Sequence, residues 1–418
     1  MKKESFLIMV IVLVLGVIQP GKAASIRNKK NPVGSDMKQH PVLACADYHI
    51  MRGNLKNTLF KIQKKKRIRV AFLGGSITNM RGWRAMLCSY LQNRFPAAEF
   101  NFVQAGIPSM GSTSDAFRME RDVVYNGPVD LLFVEAAVND NRKDKTDDEI
   151  VKGMEGIVRH ARYVSADTDI VFMYFADQDK IADYKQGKVP HVIADHEKVA
   201  KYYNIPVINL AKEITERISA GEITWKKDFK SVHPARPGQR IYVRSMINFL
   251  ENMWKTHPLA SKDRITAYVM PQKLNSGCYD RGYFIAAWQM KPTKAWEYVE
   301  TWNPEFKAGT RRNYFHVPML IGKYPADTYT LKFKGNAVGI VAVCGPDEGI
   351  IEYRIDKGPW KTQDLFTKHS RGLYLPWYYT LGLDLESGQH ELQIKLSSQK
   401  NPNSKGRTCH LRYVYVNR

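Results

Sequence analysis

The chain of 418 residues is poor in cysteine, short of acidic side chains, and without the glycine patterns that bind phosphate; each shortage excludes something. Its five cysteines, Cys45, Cys88, Cys278, Cys344 and Cys409, are too few for a disulfide-built scaffold and stand at no metal-ligand spacing. An odd count leaves at least one thiol free. Cys88 lies on a predicted helix and is expected in the core, whereas Cys344 and Cys409, both on predicted strands, are candidates for pairing. The pair Gly74-Gly75 is followed by neither the later glycines nor the lysine of a nucleotide-binding loop, so no cofactor is predicted.

Acidic residues number 41 against 63 lysines and arginines, a formal charge of +22. That excess points to an acidic partner such as an anionic polysaccharide, or else to a lysine-rich solvated surface. Nucleic acid is the competing partner and is disfavoured, because the basic residues are spread over the whole chain and no nucleic-acid module is visible. Long apolar runs are missing too, except Phe6 to Ile18. That run follows Lys2 and Lys3 and precedes Pro20 and the small residues of Gly21-Lys22-Ala23-Ala24-Ser25, the pattern of a secretory signal peptide over residues 1–24. It is too short for a confident membrane span, and no cysteine stands at the cleavage position to carry a lipid. The mature chain is expected to be soluble and secreted or periplasmic, with residues 25–64 an N-terminal extension.

What is present begins with Val70-Ala71-Phe72-Leu73-Gly74-Gly75-Ser76-Ile77-Thr78. An apolar run of strand length ends in two glycines that permit a tight turn, and from about Arg81 the apolar residues Trp83, Met86, Leu87, Tyr90 and Leu91 recur at helical spacing. Ser76 is thereby predicted at the carboxyl end of a strand, where ligands bind in α/β sheets. The same serine also fits a simple helix cap. A second segment, Asp228-Phe229-Lys230-Ser231-Val232-His233-Pro234, supplies a candidate base, since a residue before proline is pushed toward extended geometry and its side chain can be held in place by the loop. Between the two lie Gly106 in Val103-Gln104-Ala105-Gly106, and Asn139 in Val134-Glu135-Ala136-Ala137-Val138-Asn139-Asp140, each after a predicted strand.

These four segments, in this order, resemble the sequence blocks of the SGNH (GDSL-type) hydrolase superfamily, in its Gly-Gly-Ser-Ile-Thr variant. The resemblance covers roughly residues 65–255 and implies a serine esterase. In it Ser76 attacks an ester carbonyl, and His233 takes the proton and returns it to the leaving alcohol. The backbone N–H groups of Ser76 and Gly106 and the side-chain amide of Asn139 form the oxyanion hole. One position departs from the pattern. The family places an aspartate three residues before the histidine, where this chain has Lys230, which cannot accept the imidazole N–H. Asp228, two residues earlier, is the first candidate for the triad acid; a backbone carbonyl or Asp177 are the alternatives.

Strand candidates Arg67 to Leu73, Glu99 to Gln104, Asp130 to Glu135, Asp169 to Phe175 and Pro206 to Leu210 alternate with helical stretches such as Asp148 to Val164 and Ile193 to Tyr203. Such alternation predicts a parallel sheet covered on both faces over residues 65–257. The resemblance implies a flavodoxin-like, three-layer α/β/α order. From about residue 258 to 418 the pattern changes to closely spaced alternating strands with turn signals, read as an all-β sandwich. It resembles the jelly-roll accessory domains of secreted carbohydrate-active esterases. Trp288, Trp296, Trp302, Trp360 and Trp377 are either sugar-facing platforms or core residues. His191, Asp195 and His196 lie close together but fit a helix start better than a metal site. The combined expectation is a secreted esterase that removes small acyl groups, O-acetyl first among them, from a polysaccharide. A lipase and an inactive carbohydrate-binding protein are the rival readings.

Overall fold

The computed structural model describes residues 47–141, 145–325 and 327–418. The expected signal peptide, Cys45 and most of the expected N-terminal extension lie outside the described residues.

The first part of the chain is a six-stranded sheet formed by β1 (His49–Ile50), β2 (Arg67–Gly74), β3 (Glu99–Gly106), β4 (Leu131–Glu135), β5 (Asp169–Met173) and β6 (Val207–Ile208). Its order is β1-β6-β5-β4-β2-β3, parallel throughout except for the β1–β6 pair. Leaving out β1, this is the flavodoxin-like order, in which the sheet grows first one way and then the other from β2. The central strands β4 and β5 are buried along their whole length because helices cover both faces, while the edge strand β3 carries exposed Glu99, Asn101 and Gln104. Those helices are α1 (Lys56–Phe60), α2 (Ser76–Asn79), α3 (Arg81–Arg94), α4 (Ser112–Phe117), α5 (Ala137–Asp140), α6 (Asp147–Val164), α7 (Gln178–Lys185), α8 (His191–Tyr202), α9 (Leu210–Ser219) and α10 (Arg236–Thr256). The end of the expected extension belongs to this layer structure. β1 joins the sheet, and Tyr48, Leu55, Leu59 and Ile62 are buried.

The expected change of character at 258 falls between the end of α10 and the next strand. Beyond it come β7 (Gly282–Ala286), β8 (Trp296–Trp302), β9 (Gly309–Thr310), β10 (Val317–Lys323), β11 (Tyr329–Gly335), β12 (Ala337–Cys344), β13 (Ile350–Ile355), β14 (Lys361–Asp364), β15 (Leu373–Gly382), β16 (Gly388–Leu396) and β17 (Thr408–Asn417). One sheet runs β8-β10-β17-β12-β15-β9, with β7 also on β17, and the other runs β11-β16-β13-β14. Residues of both sheets, among them Ile340, Val414, Phe333 and Leu392, share one core, so the sheets stack as a sandwich.

The two parts are not separated by solvent. α6 is capped by Thr146, which exchanges hydrogen bonds with Glu149, and reads as amphipathic; yet even Lys152, Glu155 and Arg159 on it are buried. The reason is that the β part covers its outer side. Gly156 faces the Tyr279 backbone so closely that a Cβ there would stand 2.5 Å from the Tyr279 oxygen, and Lys152 reaches Asp384 at 2.6 Å. Phe117 of α4 stacks on Tyr279 and Tyr415. Cys88, Cys278, Cys344 and Cys409 are all free and buried, so the candidate Cys344–Cys409 pair is not a disulfide.

Candidate active site

The reversal of strand order at β2 opens a crevice between the carboxyl ends of β2 and β4, and the turns after these two strands carry Ser76 and Asn139. Ser76 opens the short helix α2 directly after Gly74 and Gly75. Gly74 has φ +156°, and a Cβ on it would stand 2.5 Å from the Glu135 carbonyl oxygen and 2.7 Å from Thr78 Oγ1. A Cβ on Gly75 would stand 2.0 Å from Asn139 Nδ2. The Asn139 amide therefore lies directly over the peptide that precedes the serine, and only glycine permits that approach. Gly106, at the end of β3, allows another. A Cβ there would meet the Asn79 backbone nitrogen at 2.4 Å, so this glycine lets α2 pack against the strand.

His233 comes from the loop before α10, 157 residues further along the chain, and its Nε2 stands 2.7 Å from Ser76 Oγ. The loop is anchored by Gln239, whose amide donates to the Pro234 carbonyl at 2.8 Å while its oxygen accepts the Trp83 N–H at 3.0 Å. That one buried side chain ties the histidine loop to α3, the helix that follows the Ser76 turn. His233 itself is exposed on the outer side. Partial burial, helped by the positive charge of Arg311 in the loop after β9, pushes its pKa below the ordinary imidazole value. An imidazole held neutral is the form that accepts a serine proton.

The expected triad acid is not at the ring. Asp228 sits in the helical turn Trp225–Phe229, where its carboxylate accepts the Thr224 N–H at 2.9 Å while Thr224 Oγ1 accepts the Lys227 N–H at 3.1 Å. The pair caps its own turn, and this local competition corrects the assignment of Asp228 to His233. Lys230, in the family's acid position, has φ +68° and closes the same turn through its N–H to the Trp225 carbonyl at 2.7 Å. Asp177, the alternative acid, caps α7 and pairs with Lys180. No carboxylate or carbonyl among the described residues accepts from His233 Nδ1.

Behind Asn139, Asp140 is fully buried and receives Lys145 at 2.7 Å, His196 at 3.0 Å and the Ser112 N–H at 2.9 Å. Against the burial that would raise it, Lys145 and His196 hold its carboxyl well below the usual carboxylate range, and the bonds to Ser112 and His196 pin α5 to α4 and α8. His196 thus serves this pair, while Asp195 binds Lys198; no group of ligands fit for a metal occurs among the described residues. Beside the Asn139 turn a cleft of about 250 Å³ is lined by Asn139, Thr113, Lys145 and Glu149 from the α/β part, and by Gln363 and Trp377 from the β part. Of the five tryptophans that the sequence left as platforms or core residues, Trp296 and Trp302 are core residues, Trp288 and Trp360 lie on the surface under Arg412 and Lys395, and Trp377 faces this cleft.

Three contributors were absent from the sequence expectations: Glu135, Gln239 and Arg311. Only Glu135 left a signal, an acid ending the otherwise apolar strand Leu131-Leu132-Phe133-Val134.

Residues 72–241 match the GDSL-like Lipase/Acylhydrolase family. No curated protein matches the chain. Among solved structures, a two-domain esterase (CEX) active on acetylated mannans superposes with a TM-score of 0.69 at 18% identity, covering 88% of this chain and 97% of that one. The same esterase co-crystallized with mannopentaose gives the same score and identity and is covered to 96%. The likeness extends through both parts of the fold.

Proposed function

We propose, from the premise that residues 72–241 form a GDSL-like lipase/acylhydrolase domain of the SGNH superfamily, that this protein is a serine esterase that removes small acyl groups, O-acetyl first among them, from a polysaccharide. The observation that carries the reading is the 2.7 Å contact between Ser76 Oγ and His233 Nε2, made across 157 residues at the strand ends with the Asn139 amide over Gly75. In the proposed mechanism His233 removes the Ser76 proton as Oγ attacks the acyl carbon. The oxyanion is met by the N–H groups of Ser76 and Gly106 and by the Asn139 amide, and as the ester C–O bond breaks His233 gives its proton to the departing sugar oxygen, which leaves as a hydroxyl. Water, activated by the same imidazole, releases the acid. With Asp228 engaged on its own turn, the reaction runs on a Ser–His dyad.

The cleft beside Asn139 supports a hydroxylated ligand over a fatty chain. Serine, threonine, lysine, glutamate and glutamine side chains line it together with Met110 and the aromatic residues Trp377, Tyr378 and Tyr379, a mix of hydrogen-bonding groups and flat faces suited to a sugar. The structural relative acts on acetylated mannans, which agrees with that choice. No described helix is long and apolar enough to cross a membrane, and the apolar N-terminal run supports export. The test compares 4-nitrophenyl acetate with the palmitate ester, and then measures acetate release from a panel of acetylated neutral and acidic polysaccharides. Acetate hydrolysis that Ser76→Ala abolishes, with the palmitate spared, is the expected result. Preference for the long chain would make the protein a lipase, and no hydrolysis of either would make it a binding protein.

A further inference from the structure

We propose that Glu135 is a positioning residue of this site, the strut that holds the peptide before Ser76 in register with the Asn139 turn. The inference rests on the esterase reading above and adds a residue to it. Glu135 ends β4, and its side chain is 1% exposed. Its Oε2 accepts the Gly75 N–H at 3.3 Å and the Thr78 hydroxyl at 3.4 Å, so it grips the turn on both sides of the nucleophile. Glu135 itself ends the strand that leads into the Asn139 turn, so this one side chain ties residues 75 and 78 to that turn, while the reacting side chains come from 76 and 139.

Its chemistry is unusual for a strut. Oε1 is buried and has no hydrogen-bond partner, a costly arrangement for an ionised carboxylate. The cations nearby are committed elsewhere. Arg118 of α4 pairs with Asp115 at 2.7 Å and donates to the Gly74 carbonyl, and Lys180 of α7 pairs with Asp177. Tyr242 of α10 donates no bond to it and is itself a buried phenol held to the Ala176 N–H; Asp140 of α5 is taken by Lys145 and His196. Burial, with the charge of Asp115 added, pushes Glu135 up to about 7; burial pushes Asp115 up to about 7 as well, so the two carboxyls share this titration and the glutamine variant separates them. Below that pH the strut is neutral. Above it, a negative charge forms beneath the place where the oxyanion develops, which opposes the transition state.

The experiment uses the full chain, with 4-nitrophenyl acetate turnover and the rate of Ser76 labelling by a fluorophosphonate followed from pH 5 to 9. Wild type is expected to lose kcat above about pH 7. Glu135→Gln keeps a neutral acceptor for Gly75, so it should hold kcat at pH 6 within about threefold of wild type and abolish the alkaline fall. Glu135→Ala should lower kcat and labelling about 100-fold with little change in KM, because the nucleophile is displaced rather than the substrate site. A glutamine variant with an unaltered pH profile, or an alanine variant with wild-type kcat, overturns the proposal; if the alanine variant does not fold, the glutamine variant decides alone. Wild type inert to both reagents would instead defeat the esterase reading itself.

Discussion

The turn at Gly74–Thr78 is braced from every side, by Glu135 below, Asn139 above, the β3 strand at Gly106, and the Trp83 and Arg84 side chains on the Ile77 and Thr78 carbonyls. The loop that carries His233 is held mainly by Gln239 and by its own turn, and its outer face meets solvent. One half of the site is thus part of the sheet, and the other half is attached to it. The difference teaches where such a site tolerates change. A turn whose glycines are closed in by buried side chains admits almost no substitution, whereas a loop without an acid at its usual place still brings its imidazole to Ser76.

The largest effects should come from the atoms common to both halves. Ser76→Ala and His233→Ala are each expected to lower kcat/KM about 10,000-fold or more with circular dichroism unchanged. Should His233→Ala retain most activity, the loop would be a spectator and the comparison would collapse. Asn139→Ala comes next, with kcat about 100-fold lower and a smaller change in KM. A raised KM at constant kcat would move Asn139 from the oxyanion to the sugar. Arg311→Gln probes the loop's surroundings. Removing that positive charge favours the imidazolium, so the His233 pKa should rise and the acid limb of the kcat/KM profile should shift to higher pH. A limb that stays in place or shifts lower would show that Arg311 does not govern this histidine. The smallest effect is predicted for Asp228→Asn, within about threefold of wild type. A loss of several orders of magnitude would mean that the turn opens in the working enzyme and that Asp228 does orient His233.

Legibility in the sequence follows the same division. The strand before Ser76 was readable because burial on both faces demands a continuous apolar run, and the strand ends at Glu99 and Asp169 match the expected starts. In the β part β11, β12, β13, β16 and β17 are legible as alternating runs, two of them closed by the strong turn residues Gly345-Pro346-Asp347 and Lys357-Gly358-Pro359, while β7, β8, β9, β10, β14 and β15 are not. Trp296–Trp302 is closed by the turn signal Asn303-Pro304, but its acids Glu297 and Glu300 stand three apart and break the alternation of a half-buried strand. The fate of Asp228 was unreadable for a different reason. Thr224 and Asp228 cap a turn whose existence depends on the packing of Trp225 on Phe229, and nothing in the residue order alone ranks that bond above one to His233.

The apolar core of the α/β part does not stop at its own boundary; Ala337, Val341, Tyr413 and Tyr415 of the sandwich belong to the same cluster of buried residues. Phe117 and Arg121 on one side and Tyr415, Phe284 and Tyr413 on the other are stacked as the interior of a single body would be. Calorimetry should therefore record one endotherm, with both parts melting together, instead of the two transitions expected of modules joined by a free tether. Severing the chain between α10 and β7 would strip the cover from both faces at once, and each fragment made alone would carry a sticky patch that drives it to aggregate.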